Sequence, residues 1–409
     1  SVPSVLLSAG NWDTYRETLR AALEPKTAPD TFVTEETRKR LREIKDSKER
    51  LLAVRDFVMT SVKTAGPSLT ELPPDAVTPP AAVIREGYAN QRDRAVLLFS
   101  MLRAAGFDPE FVLVNRYGCQ PRQMIEKLLR VPHFQKAFNR LLVRVPMDKT
   151  WIYLGDTSEY AAPGTVAHEG RAAVSLRGPE TVPFRITPEE NKTTRTVTEY
   201  DVLLKENGDA EISCSRQYFG TAFSGLNRRS RELTPEKKKR FFRNRISQIS
   251  QSAAPLTEWN VDTTAYPGTE TFRIRVPRFG IRDGNFLYLE LPDPPAAQYN
   301  TAEARRVWPY YQRHAEKRTV VTRIHLPAEF KDTQILPRKI DWGQPGSSGR
   351  ISVTAVREKN RVIITREIDI QPALIPPSSY DALKKINEQL RHKAARTIML
   401  RRRSDETKN

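Results

Sequence analysis

Two periodicities divide the chain. Up to about residue 190, apolar residues recur mainly at three- and four-residue spacing; beyond it they recur mainly at every second position. The first part therefore reads as helices followed by a few strands, and the second as mostly strands. Trp12, Tyr15, Leu19 and Leu23 predict a helix over 11–25 that stops at Pro25. Two further helices fit 34–62, the second burying Leu51, Val54, Phe57, Val58 and Val62. The proline-rich stretch 63–87 predicts an extended excursion over the surface, and loops of that length are often functional. Asp93 to Ala105 is a strongly apolar helix carrying Ala95, Leu98, Phe99 and Leu102, ended by Gly106 in a left-handed cap. A buried strand follows at 110–115, then a short helix in QPRQMIEKLLRVP, then two strands within 139–157 around a turn at Met147 to Thr150.

After PEENKTTRT the alternation takes over. Residues 196–220 predict a hairpin about Asn207-Gly208-Asp209, the strongest turn signal in the chain. A helix over 232–249 has Thr234 as its cap and Pro235 at its first position. TFRIRVPRF, NFLYLELP, RTVVTRIHLP and GRISVTAVREKNRVIITREIDI are β segments, the last a hairpin about Glu358 to Asn360, and SSYDALKKINEQLRHKAARTIML reads as a closing helix. The expected architecture is an α+β domain over 31–190, an antiparallel β-sandwich-like domain with additional helices over 191–395, and a basic polar tail over 396–409.

Charge adds a constraint on partners. Sixty-seven Lys and Arg against 49 Asp and Glu leave +18, which favours encounter with nucleic acid, an acidic glycan, a phospholipid surface or an acidic protein. The densest basic run, KKKRFFRNR at 237–245, interleaves Phe241 and Phe242 with cations, as a single-strand binder would. On a helix, however, the same string buries the phenylalanines and leaves the cations in water, and no nucleic-acid motif accompanies it, so nucleic acid is not the favoured partner. GQPGSSG at 343–349 lacks the Lys-Ser/Thr of a phosphate loop. Only Cys119 and Cys214 are present, without a CxxC, and the five histidines are scattered. That excludes a disulfide scaffold and leaves no metal or cofactor expected. No apolar run approaches the roughly 20 residues of a membrane span, and the start, SVPSVLLSAG, does not read as an intact signal peptide.

EGYANQRDRAVLLFSMLRAAG, residues 86–106, has the layout of a loop feeding the N-terminus of a buried helix, where a cysteine nucleophile often sits, and no cysteine is there. With the element order of the first half, this stretch resembles the transglutaminase-like fold, a papain-like core supporting a Cys, His, Asp triad. It is most similar to an envelope-associated multidomain bacterial subgroup whose nucleophile stretch reads Gly-Asp-Cys-Lys-Asp-Lys-Ala. Here the stretch is Ala89-Asn90-Gln91-Arg92-Asp93-Arg94-Ala95, so the cysteine position is Gln91. The family's Phe-Asn-His is Phe138-Asn139-Arg140, and its Trp-x-Leu-Asp-Pro-Thr-Ser-Glu-Tyr is WIYLGDTSEY, with Gly155 at the aspartate position and Asp156 one place later. The similarity covers about residues 10–180. It implies that 1–30 is a linker or the tail of a missing N-terminal β domain, and that the protein works in the bacterial periplasm or envelope.

A glutamine amide forms no thiolate and an arginine is protonated at any physiological pH, so neither serves as nucleophile or general base. The expectation is a pseudoenzyme that binds a polypeptide, with an acidic one among the candidates, or scaffolds an envelope assembly. Its cleft would be built from Tyr88, Asn90, Gln91, Arg92, Asp93, Asn139, Arg140, Trp151, Tyr153 and Asp156, the aromatic residues giving flat walls. The alternative is a working peptidase or amide transferase through Cys119 and His133, 14 residues apart. Cys214 alternates with Ile212 in the predicted hairpin and reads as a core-facing thiol.

Overall fold

The computed structural model describes residues 10–118, 122–130, 137–147, 150–154, 159–178, 181–330, 332–343 and 348–402. The chain divides into two compact units, Ser1–Thr193 and Thr194–Asn409. Both mix helices and sheets, and none of the described helices is long and apolar enough to cross a membrane.

Unit one holds α1 (Trp12–Leu23), α2 (Thr31–Leu41), α3 (Ser47–Ser61), α4 (Pro80–Glu86), α5 (Gln91–Ala104) and α6 (Arg122–Arg130). Side-chain caps fix four of their starts. Asn11, Asp30, Asp46 and Asn90 accept from the third following backbone N–H at 2.8, 2.7, 2.8 and 3.0 Å, meeting donors that a helix leaves unpaired. Strands β1 (Lys63–Thr64) and β2 (Tyr88–Ala89) pair in parallel. An antiparallel sheet runs β5-β4-β3-β6-β7, with β3 Glu110–Asn115, β4 Phe138–Met147, β5 Thr150–Leu154, β6 Ala172–Ser175 and β7 Pro183–Arg185.

Helix α5 is buried without interruption from Arg92 to Leu102. Its apolar residues share a core with Phe111 and Leu113 of β3 and Leu141, Val143 and Val145 of β4. The alternate residues of those strands, Val112, Val114 and Leu142, turn to a smaller cluster with Tyr153 and Val166. Two expectations need correction here. Residues 12–27 are not a tail: Trp12, Tyr15, Leu19 and Leu23 are buried in the α5 core, and the Trp12 ring meets Phe138 edge-on at 5.1 Å. The proline-rich excursion is not extended throughout, because Pro80 starts α4 at a position that needs no N–H donor and Gly87 closes it at φ 69°.

Unit two opens with β8 (Arg195–Leu204) and β9 (Ala210–Phe219), paired across the predicted turn. Gly208 takes φ 87° there, and a Cβ on it would lie 2.2 Å from the Gly280 carbonyl oxygen, so only glycine fits. A nine-stranded sheet runs Ala254–Pro255, Gly268–Val276, β9, β8, Glu316–His325, Arg361–Ile370, Gly349–Glu358, Ile340–Gly343, with Asn260–Asp262 beside its second strand. It is not wholly antiparallel, since β8 and Glu316–His325 run in parallel; they are far apart in sequence, so no tight turn dictates their direction. A four-stranded sheet has the order Gly280–Asp283, Phe286–Glu290, Thr397–Arg401, Asp332–Ile335. Helices α7 (Thr221–Glu232), α8 (Pro235–Ser247) and α9 (Tyr380–Arg391) complete the unit. One core collects apolar residues from both larger sheets together with Phe242, Ile246, Leu383, Ile386 and Leu390.

The closing helix is shorter than its apolar content predicts. It ends at Arg391, and Thr397–Arg401 forms an inner strand of the four-stranded sheet. Ile398 and Leu400 are fully buried by alternation, so residues 397–401 are core and not a polar tail. The basic run at 237–245 lies on α8 as its helical reading requires, with Phe242 buried and Phe241 half-buried over Trp259.

Candidate functional site

The approach to α5 is held by backbone pairing. Lys63 N donates to Gly87 O at 2.8 Å and Ala65 N to Ala89 O at 2.9 Å, which fixes the two residues before the cap. Asn90 then both accepts from Asp93 N and donates through Nδ2 to Asp93 Oδ2 at 2.8 Å, a reciprocal lock on the first turn. Gln91 is the first helical residue, beside the unpaired N–H groups and positive end of the helix. Across from it, Arg140 Nη1 donates to Gln91 Oε1 at 3.1 Å. Arg140 lies near the start of β4, opposite Val114 and next to an irregularity in the β3–β4 register. Tyr88 stands exposed on the approach.

Gln91 and Arg140 thus meet, and Asn90 and Tyr88 lie beside Gln91 in the chain. Arg92 and Asp93 do not line an open cleft, being only 1% and 3% exposed. Successive helix positions turn by about a third of a circle, so Arg92 points inward. Its Nη1 donates to Pro73 O at 2.7 Å and its Nη2 to Ala76 O, and it ties the proline-rich excursion to the core. Arg94 is likewise spent on the Val62 carbonyl at the end of α3. Trp151 and Tyr153 gather elsewhere on the sheet: Arg144 lies 3.9 Å above the Trp151 ring, and Tyr153 is buried against Phe184. They pack on the residue four places along β4 from Arg140, and so are no walls for Gln91. Asn139 Oδ1 is buried without a hydrogen-bond partner among the described residues. Cys119, His133, Gly155 and Asp156 lie outside the described residues.

His168 is the residue that sequence reasoning missed. It sits between β5 and β6, and its Nδ1 is buried without a hydrogen-bond partner among the described residues. Burial, then the charges of Arg171 and Arg140, lower its pKa to about 4, so the imidazole is neutral at pH 7. Nothing in its local sequence, TVAHEGR, marks it, because its neighbours come from β4 and from the turn that follows.

A neutral imidazole can accept a proton, but Gln91 has none to give at any useful acidity. What the group offers is recognition: the Gln91 amide, the Arg140 guanidinium and the helix N–H groups all donate toward carbonyl or carboxylate oxygen. Cys214, the free cysteine among the described residues, is buried on β9, and burial pushes its thiol up to about 12. No cluster of metal-ligating residues occurs among the described residues.

The family model of a domain of unknown function with a solved structure, DUF3858, matches residues 285–400, well under half the chain. No curated protein matches. Among solved structures, a candidate protease from Parabacteroides distasonis is similar over 95% of this chain and 58% of its own, at 14% identity and a TM-score of 0.49. A candidate cysteine protease from Cytophaga hutchinsonii is similar over 33% of this chain and 42% of its own, at 17% identity and a TM-score of 0.23. The chain thus spans less than two thirds of either protein. Likeness at this level carries no statement about activity.

Proposed function

We propose that unit one is a transglutaminase-like domain whose catalytic cleft has become a binding cleft for polypeptide. The observation that carries this reading is the Arg140–Gln91 hydrogen bond. The two residues at the nucleophile and base positions of the resembled family are replaced by a guanidinium and an amide that satisfy each other. Gly155 stands at the third position, with Asp156 beside it. This pair has no group that attacks a carbonyl, so the neutral His168 imidazole beside Arg140 has no nucleophile to deprotonate. It keeps donors that suit the carbonyls and acidic groups of an extended peptide, and a net charge of +18 raises the encounter rate with an acidic one. A role in the bacterial envelope, as binder or scaffold, is the setting the resemblance implies.

Fluorescence anisotropy with labelled acidic and basic peptides of equal length tests the reading, run beside assays for peptide hydrolysis and glutamine–lysine transfer. The expected result is binding that favours acidic peptides and weakens about tenfold in Arg140→Ala, the loss of one charge-assisted contact, with no turnover. Turnover lost in Cys119→Ala would overturn it in favour of the Cys119 and His133 pair.

A further inference from the structure

The inward face of the nine-stranded sheet carries charges where alternation calls for apolar residues. Arg216 of β9, Thr198 of β8, Val320 and Arg366 follow one another in register across four adjacent strands. Arg318 lies two residues before Val320 and so shares its face. Arg366 is 4% exposed and Thr198 is 1% exposed. Arg216 donates to Thr198 Oγ1 at 2.8 Å and Tyr200 OH at 3.3 Å. Glu270 lies opposite Arg216 and is also held by Arg245 at 3.0 Å, Trp259 Nε1 at 3.1 Å and the Tyr218 hydroxyl.

Arg318 and Arg366 share a single acid, Asp293. Arg318 Nη2 donates to both its oxygens, at 3.1 and 2.9 Å, and Arg366 Nη1 donates to its backbone carbonyl at 2.9 Å. Arg366 Nη2 also lies 2.9 Å from Oδ2, within ion-pair distance. The Nε atoms of both arginines have no hydrogen-bond partner among the described residues. An unmet Nε alone is unremarkable, since Arg92 and Arg144 have one too. What sets this pair apart is two guanidinium groups crowded on one carboxylate oxygen, leaving one positive charge unneutralised in a largely buried place. Burial lowers the Arg366 pKa, with Asp293 opposing that shift and Arg318 adding to it.

We propose that Arg318 and Arg366 form a binding site for one small oxyanion, a carboxylate or a tetrahedral sulfate or phosphate group. The unmet Nε groups, closed to solvent in this structure, are donors in the planar geometry such oxygens fit, and one added negative charge balances the pair. Arg318, about a third exposed, and Asp293, about a fifth exposed, mark the side from which it enters.

Calorimetry and thermal unfolding of the full chain with millimolar sulfate, phosphate or acetate, against chloride at equal ionic strength, test the site. Saturable stabilisation by sulfate and phosphate assigns a tetrahedral ligand; the same response to acetate assigns a carboxylate. Arg318→Gln is expected to weaken binding at least tenfold. Asp293→Asn removes the competing charge and is expected to tighten it about fivefold or more, although it also loosens the clamp between this loop and the sheet. A purely structural cluster gives the opposite pattern: Asp293→Asn destabilises and gains no affinity. That result, or responses in the parent protein no larger than with chloride, would overturn the proposal, as would unchanged binding in Arg318→Gln.

Discussion

Buried arginines do different work in the two units. At the start of α5, Arg92 and Arg94 are 1% and 6% exposed and spend their end nitrogens on carbonyls of residues 73, 76 and 62 or on the Met59 sulfur. Each clamps a segment of chain. In the sheet of unit two, Arg318 and Arg366 converge on one carboxylate and retain unmet donors. Burial of a cation therefore does not by itself announce a ligand. The distinction lies in whether its donors are spent on backbone or compete for the same acid.

The largest effect is expected from breaking a clamp. Arg92→Leu leaves the Pro73 and Ala76 carbonyls without their donor and the buried Asp93 without its cation, and should cost about 3–5 kcal/mol in denaturant unfolding. Proteolysis should then begin in the 63–79 segment. A loss below about 1 kcal/mol would show that the clamp is not what holds that segment.

Next comes His168, which sharpens the contrast because its burial beside Arg140 and Arg171 is unfavourable to charge. Its folded pKa of about 4 lies below the ordinary 6.5, so the unfolded chain takes up the proton first. The stabilisation is complete above pH 6.5 and is lost as pH falls toward 4. Over that window the parent protein should lose about 3 kcal/mol more than His168→Gln. Parallel pH profiles of the two proteins would contradict the placement.

A smaller loss, about 1–2 kcal/mol, is expected for Asn90→Ala, which removes the reciprocal lock on α5. It should weaken peptide binding as well as stability, since it frees Gln91 to move. The smallest effect falls where cations lie in water. Reversing Lys237, Lys238, Lys239 and Arg240 of α8 to glutamate should change stability by less than about 0.5 kcal/mol. Nucleic-acid binding near physiological salt that vanished in this variant would restore the basic run as a functional surface.

Much of the fold was legible because it is written in apolar spacing. The α5 helix, the 207–209 hairpin and α8 with its Thr234 cap follow from period and turn chemistry alone. What was not legible is where long polar side chains go. Arg92 and Asp93 read as cleft residues from their position in EGYANQRDR, but the helix turns Arg92 inward to carbonyls of the 63–79 segment and Asp93 to the side chain of Asn90. Trp151 and Tyr153 are likewise claimed by Arg144 and Phe184. The strand at 397–401 hid behind α9 because Ile398, Met399 and Leu400 suit either period. Gln91 and Arg140 meet although 49 residues apart, and that juxtaposition came to the sequence reading through the family resemblance.

On the proposed function, the α5 entrance has the electrostatic setting of a nucleophile and lacks the nucleophile. Gln91→Cys supplies one, and alkylation of the peptide containing residue 91 with iodoacetamide, followed as a function of pH, reads its thiol. Beside the Arg140 guanidinium and the helix N-terminus, the introduced thiol should titrate at least one pH unit below the ordinary value of about 8.5, and Arg140→Ala should move it back upward. A thiol that titrates at or above the ordinary value, indifferent to Arg140→Ala, would rule out a nucleophile setting at the α5 entrance.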